Sequence, residues 1–348
     1  MGALISVVVP TRNNESTIRE LLDSLARQRY GDFEVILADS STDRTPEIAS
    51  GYPFVRVVRV TPTGLNAARN AGVREARGEI VAFTDGDCRV PPDWLESIAE
   101  FFARRPEAAA VGGSVLTPPE LAGSVVAEYY NKPLWPMMAI YGEEVEITAR
   151  NFHRVRVPSG NNVAFRRAVL LENPFDEGIR GGYDEVELLW RLCARGYRVY
   201  ASPALRVEHF HTRSLRKLLR RAFSYGRGHY LFFARHRRAP LALYGFAGAV
   251  ALYAYYLLAA ALAALGLWQA ALLVPASYLA LAAVYAKRGA GRRAALYPLL
   301  DLAFYSTLAL GMLYEAAAQL ARKPFSRRRP PVADEGKGLP AERGPPQG

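Results

Sequence analysis

The chain has 348 residues, a formal net charge of +11 and a half-hydrophobic composition, enough for one large domain or two ordinary ones with a sizeable core. Its two cysteines, Cys88 and Cys193, lie far apart and outside any CxxC or His-rich pattern, which excludes a disulfide framework or a structural zinc site and suits a reducing compartment. The basic balance suits nucleic acid, anionic lipid or phosphorylated substrates, so the position of the charge along the chain has to decide.

The opening stretch MGALISVVVPTRNN lacks the basic region and cleavage site of a secretory signal, and its apolar run has strand length, so this part is expected in the cytoplasm. Strands are predicted at LISVVVP, FEVILAD, VRVVRV, EIVAFTD and AAAVGGSVL. Between them Ile18, Leu21, Leu22 and Leu25 keep helical spacing behind Asn13 and Asn14, and GLNAARNAGVREA and PDWLESIAEFFARR also read as helices. Alternating apolar strands and helices imply an α/β fold with a mainly parallel sheet covered on both faces, in which ligands bind beyond the carboxyl ends of the strands. Asp39 ends the second strand and Asp85 the fourth, so both point into that crevice.

Asp85 and Asp87 flank Gly86. Two carboxylates on such a loop suit a hard divalent cation, Mg²⁺ or Mn²⁺, with room for a diphosphate against the glycine backbone. The Asp-x-Asp pattern by itself equally fits an acidic surface turn or a capping pair ahead of the next helix. Further on, Asp184, Glu185 and Glu187 sit in the first turn of a helix whose inner face is Val186, Leu189, Trp190 and Cys193.

From Arg213 to Arg238 there are nine Lys or Arg and no acid, and from Ala239 to Ala286 there is no charge at all. The basic stretch 213–238, with Leu215, Leu218, Leu219 and Phe223 at helical spacing, reads as a juxtamembrane amphipathic helix on anionic lipid rather than a nucleic-acid surface. The uncharged stretch has the length of two spans, so a membrane hairpin over 241–286 turning near Gly266 to Gln269 is expected. A third apolar segment, 294–320, carries Asp301 and Glu315; with a cytoplasmic tail it packs on the membrane face or re-enters, and Asp301 then needs a partner. The Pro/Gly-rich tail 322–348 reads as disordered. The expected location is the cell membrane, multi-pass, with the catalytic domain cytoplasmic.

The motifs SVVVPTRNNESTIRELLDSLARQRYGDFEVILADSSTDRT, GLNAARNAGVREARGEIVAFTDGDCRVPPDWLE, SGNNVAFRRAVL and FDEGIRGGYDEVELLWRLCARGYRVY, in this order and spacing, resemble the family-2 glycosyltransferases, inverting enzymes of the GT-A fold that use nucleotide-diphospho-sugars. The resemblance implies a GT-A domain over residues 1–212. It places Pro10 and Thr11 at the nucleotide edge of the first strand and makes Asp39 the acid that reads the base; the family often has two acids there, and this chain has Ala38 then Asp39. Arg69 matches the arginine near the nucleotide and its phosphates. Asp85 and Asp87 match the metal and diphosphate motif, with Asp87 the direct ligand. Glu185 aligns with the catalytic base and Asp184 with its support, but the family's usual Glu-Asp order is reversed here, which leaves either as the base. His209 matches a histidine that ligates the metal or touches the diphosphate, with His211 as its substitute.

The implied activity is transfer of a sugar from a nucleotide-diphospho-sugar to a lipid-linked or otherwise membrane-delivered acceptor. The aromatic and methionine-rich stretch Glu128 to Gly142 is a candidate lining for the acceptor entrance. A nucleotidyltransferase, or a non-catalytic membrane protein that binds nucleotide-sugars, is the alternative; the first strand lacks the Gly-rich phosphate loop many nucleotidyltransferases show.

Overall fold

The computed structural model describes residues 3–61, 64–134, 136–267 and 272–321; the tail 322–348 and the far side of the expected hairpin turn, 268–271, lie outside the described residues. Strand and helix alternate first as β1 (Ile5–Thr11), α1 (Ile18–Ala26), β2 (Phe33–Asp39), α2 (Thr45–Ala49), β3 (Val55–Arg59), α3 (Leu65–Glu75), β4 (Ile80–Phe83), β5 (Cys88–Arg89), α4 (Trp94–Arg104) and β6 (Ala108–Leu116). They continue as α5 (Val125–Glu128), β7 (Val145–Ile147), β8 (Val163–Arg166), α6 (Arg167–Glu172), α7 (Asp184–Ala194) and β9 (Arg198–His209). Four helices follow: α8 (Leu215–Arg235), α9 (Pro240–Ala264), α10 (Leu273–Lys287) and α11 (Tyr297–Ala321).

The sheet runs β3-β2-β1-β4-β8-β6-β9-β5, with β7 paired to β9. β1 to β4 are parallel, as the helix-linked apolar runs require. β8 inserts antiparallel between β4 and β6, so the sheet is mixed, and the parallel reading holds for its first half. Alternate side chains of each strand feed two cores: Val7, Val9 and Leu37 pack with α1 and α4 on one face, while Val8, Ile36, Val81 and Phe83 pack with Leu188, Leu189 and Leu192 of α7 on the other. Fully burying each such side chain stabilises the fold by roughly 1.5–3 kcal/mol before chain entropy is counted, which holds the strand ends, and the acids on them, in fixed register.

The parallel register brings Thr11, Asp39 and Arg59 into one row across the carboxyl ends of β1, β2 and β3. β4 stops at Phe83 and releases the Asp85–Asp87 turn beside them, closed by the Cys88 amide donating to the Asp85 carbonyl at 3.1 Å.

The C-terminal helices differ from the expected two-span hairpin. α9 has 25 residues and is the one helix among the described residues long and apolar enough to cross a membrane. α10 has 15 residues, about 22 Å at 1.5 Å per residue, short of a bilayer core of about 30 Å. α11 packs along α8 with its acids turned inward: Glu315 bonds Arg227 at 2.9 Å, and Asp301 is buried against Lys132, Tyr129 and Tyr285. The multi-pass expectation is therefore corrected to one candidate span. The basic helix also differs from a uniformly lipid-facing one. Leu215 of its expected apolar stripe is exposed, while Arg227 and Arg235 pair with Glu315 and Asp176.

Candidate active site

Asp39 is wholly buried at the end of β2. One carboxylate oxygen accepts from Thr11 Oγ1 at 2.7 Å and Ser41 Oγ at 2.6 Å, and the other pairs with Arg59. Pro10 is buried beside Thr11, opposite Ala38 in the register. Arg59 was not legible as a site residue, because a basic residue at the end of a half-exposed strand reads as solvated; only the register sets it beside Asp39.

Asp85 and Asp87 leave the end of β4 on one turn. His209, the last residue of β9, is drawn to them by the short antiparallel pairing of β5 with β9, in which Cys88 faces His209. Its Nε2 lies 3.2 Å from Asp87 Oδ1. Burial alone would raise the Asp87 carboxyl, but the charge and hydrogen bond of His209, with Arg221 behind, outweigh it and hold Asp87 well below the usual range. Asp85 moves the other way: burial raises it, Arg69 opposes, and the neighbouring Asp87 adds to the rise. The ligand atoms of Asp87, Cys88 and His209 lie within 4.8 Å of one another. Burial keeps the Cys88 thiol protonated, so the usable donors are carboxylate oxygen and imidazole nitrogen, a set that fits Mg²⁺ or Mn²⁺. Gly86 departs from expectation. A side-chain carbon there would lie 2.9 Å from Asn14, so its missing side chain admits Asn14 rather than leaving space for a phosphate.

Arg69 of α3 is buried and pairs with Asp184 at the start of α7, its guanidinium 5.2 Å from the ring centre of Phe175. Asp184 is thereby committed. Glu185, the next residue, makes no such pair among the described residues, is partly open, and faces the cavity. Burial and then the adjacent Asp184 charge, against the pull of Arg69, push its carboxyl up to about 7. The turn that presents both acids is left-handed: Gly181 and Gly182 have φ of 91° and 119°, and Tyr183 follows at 65°, a conformation only the glycines adopt without strain.

These groups face one cavity of about 810 Å³. Asp85, Arg69, Asp184, Glu185 and His209 line its polar part, while Met137 and Met138 from the segment after α5, Leu241 of α9, and Phe304, Tyr305 and Leu308 of α11 line its apolar part. Met137 and Met138 belong to the stretch singled out in the sequence; Trp135 lies outside the described residues. Asp39, Thr11 and Pro10 stand off this cavity along the strand ends, in the row with Arg59. His211 is stacked flat on Tyr130, ring centres 4.0 Å apart, and against His209 at 4.4 Å, which makes it a backing for His209 rather than a substitute.

Residues 6–172 match the sequence model of Glycosyl transferase family 2. That stretch is thus similar in sequence to the family-2 glycosyltransferases. The chain is 33% identical over 230 residues to the O-antigen biosynthesis protein RfbC of Myxococcus xanthus, covering 61% of this chain and 18% of that one. It is 28% identical over 191 residues to a glucosyl-dolichyl phosphate glucuronosyltransferase of Haloferax volcanii, covering 52% and 56%. The chain thus spans less than two thirds of either relative's length. Among solved structures, the mannosyltransferase PcManGT of Pyrobaculum calidifontis, in complex with GDP-Man and Mn²⁺, superposes with a TM-score of 0.64 at 24% identity, over 90% of this chain and 88% of that one. That likeness establishes the GT-A fold, and the superposition extends past residue 172, where the match to the family ends. Asp85, just after β4, and Asp184 and Glu185 of α7 thus line one cavity, while Asp39 stands apart at the end of β2.

Proposed function

We propose that the protein is a membrane-associated, inverting glycosyltransferase that moves a sugar from a nucleotide-diphospho-sugar to a lipid-linked or otherwise membrane-delivered acceptor. The observation that carries this reading is the single cavity in which Asp85, His209 and Glu185 face the apolar side chains of α9 and α11. Asp39, with Thr11, takes the base of the nucleotide. Asp87, Asp85 and His209 would hold Mg²⁺ or Mn²⁺, and the bound ion neutralises the diphosphate as a leaving group.

Glu185 is the base. Its carboxylate, without an ion pair among the described residues and proton-hungry near neutral pH, takes the acceptor hydroxyl proton as the oxygen attacks the anomeric carbon. Asp184 positions it, locked by Arg69 so that the first turn of α7 cannot swing. One in-line displacement inverts the anomeric centre, with no covalent sugar intermediate. The apolar wall suits an acceptor carried on a lipid, and the dolichyl-phosphate chemistry named for the Haloferax volcanii relative supports that choice. α9 gives the membrane attachment, and the exposed basic residues of α8, Arg216, Lys217 and Arg220, suit an anionic lipid surface on its cytoplasmic side.

Incubation of the full chain with radiolabelled nucleotide-sugars, Mn²⁺ and membrane-lipid extract tests this. Transfer of label to the lipid phase, with inversion seen by NMR of the isolated product, is expected; label that stays in the nucleotide-sugar with every donor and extract overturns it.

A further inference from the structure

Arg221 of α8 lines the cavity together with Asp85 and His209. Of the other arginines that line the cavity, Arg69 is buried and neutralised by Asp184, while Arg156, Arg180 and Arg220 are exposed to solvent, so Arg221 is the half-buried one that faces Asp85 and His209. Among the described residues no carboxylate forms an ion pair with Arg221. Its close neighbours are the phenols of Tyr225 and Tyr130, and its field reaches both Asp85 and Asp87. The surroundings are built to keep it there. Tyr130 is fully buried and stacked on His211, which stacks in turn on His209, so one wall runs from the arginine's neighbour to the candidate metal ligand. Both ring nitrogens of the buried His211 lack hydrogen-bond partners among the described residues.

A guanidinium does not release its proton in the working range, so Arg221 is a fixed positive charge on the cavity wall. A cation bound through Asp87 and His209 would occupy the acids and leave the arginine uncompensated, which favours an anion in the same space. We infer that Arg221 is a further catalytic residue, binding the leaving diphosphate from α8 through the planar fork that suits phosphate oxygens. In the displacement the bond from the anomeric carbon to the diphosphate oxygen breaks with its electron pair going to that oxygen, the acceptor oxygen bonds to the carbon, and the acceptor proton passes to Glu185. The released diphosphate carries one more negative charge than it did in the donor, and Arg221 stabilises that charge as it develops. The helix that follows the glycosyltransferase sheet thereby completes the donor site as well as its membrane side.

The inference rests on the proposed donor chemistry, so the test separates the two. Calorimetric titrations of the full chain with GDP and UDP in the presence of Mn²⁺ are compared with GMP and UMP. In Arg221→Gln the diphosphate that binds wild type should lose at least about tenfold in affinity, while its monophosphate changes by less than about twofold; Arg221→Lys, which keeps the charge but not the fork, should lie between. Equal losses for diphosphate and monophosphate, or a diphosphate affinity within about twofold of wild type, overturn the role of Arg221. If Arg221→Gln does not fold, Arg221→Lys carries the test: a several-fold loss confined to the diphosphate supports it, and unchanged affinity overturns it. Wild-type protein that binds neither diphosphate sinks the donor reading itself.

Discussion

Asp184 pairs with Arg69 in the interior, and this pair leaves Glu185, the adjacent residue, facing the cavity without an ion pair among the described residues. On the proposed reading, Asp184 holds the turn and Glu185 does the chemistry. Glu185→Gln keeps the shape and removes the proton acceptor, so turnover should fall by on the order of 10²-fold or more with donor affinity nearly unchanged. Asp184→Asn leaves a buried guanidinium without its partner and should cost about 3–5 kcal/mol of stability. Thermal melts and steady-state kinetics on the two variants check both; a stable, inactive Asp184→Asn beside an active Glu185→Gln reverses the assignment.

Glu185, raised to about 7, sets a pH dependence with a definite sign. The base works only when ionised, so kcat/KM should rise as pH rises through about 7 and then level, and that limb should vanish in Glu185→Gln. Stability runs the other way. Because the folded carboxyl binds its proton more tightly than the unfolded one, the contribution of Glu185 is fully present below the ordinary glutamate range and is lost as pH rises through about 7. Relative to wild type, Glu185→Gln should therefore melt higher at pH 8 than at pH 5. A pH-independent difference in Tm would contradict the raised carboxyl.

Asp87 is partly exposed, contributes little core burial, and meets His209 at 3.2 Å. Asp87→Ala should abolish the thermal stabilisation that Mn²⁺ with nucleoside diphosphate gives to wild type, at nearly unchanged apo stability, and EDTA should have the same effect. Mn²⁺-independent diphosphate binding would remove the ion from the site.

Lys132 and Asp301 join the segment after α5 to α11 through a buried ion pair, with Tyr129 and Tyr285 also donating to Asp301 at 2.7 and 2.6 Å. Asp301→Asn alone strands a buried ammonium and should cost about 3–5 kcal/mol, whereas Lys132→Met with Asp301→Leu should recover most of that loss. A double variant as unstable as the single one would show that the phenol hydrogen bonds to Asp301, rather than its charge, hold α11 in place.

The acids of the donor site were legible in the chain because strand-length apolar runs have sharp ends and parallel topology puts those ends at one edge. FEVILAD and AAAVGGSVL coincide with β2 and β6 residue for residue. The motif order from SVVVPT to GGYDEVELLW identified the domain, and the Asp-x-Asp turn could be placed from local pattern alone.

What tertiary structure decided was every relationship between residues distant in the chain. β9 has 12 residues and alternates poorly, because it borders three partners in turn, so its end at His209 meets Asp87 only through the sheet. Which of Asp184 and Glu185 is free depends on Arg69, 115 positions away. Arg59 joins Asp39 through the strand register, and Lys132 meets Asp301 through helix docking. Hydropathy likewise placed a break of the uncharged stretch near Gly266, close to the end of α9 at Ala264, but read both halves as spans where the second is a 15-residue helix. Local sequence sets which backbone hydrogen bonds close and which face is apolar, whereas the pairing of buried charges depends on where separate elements dock.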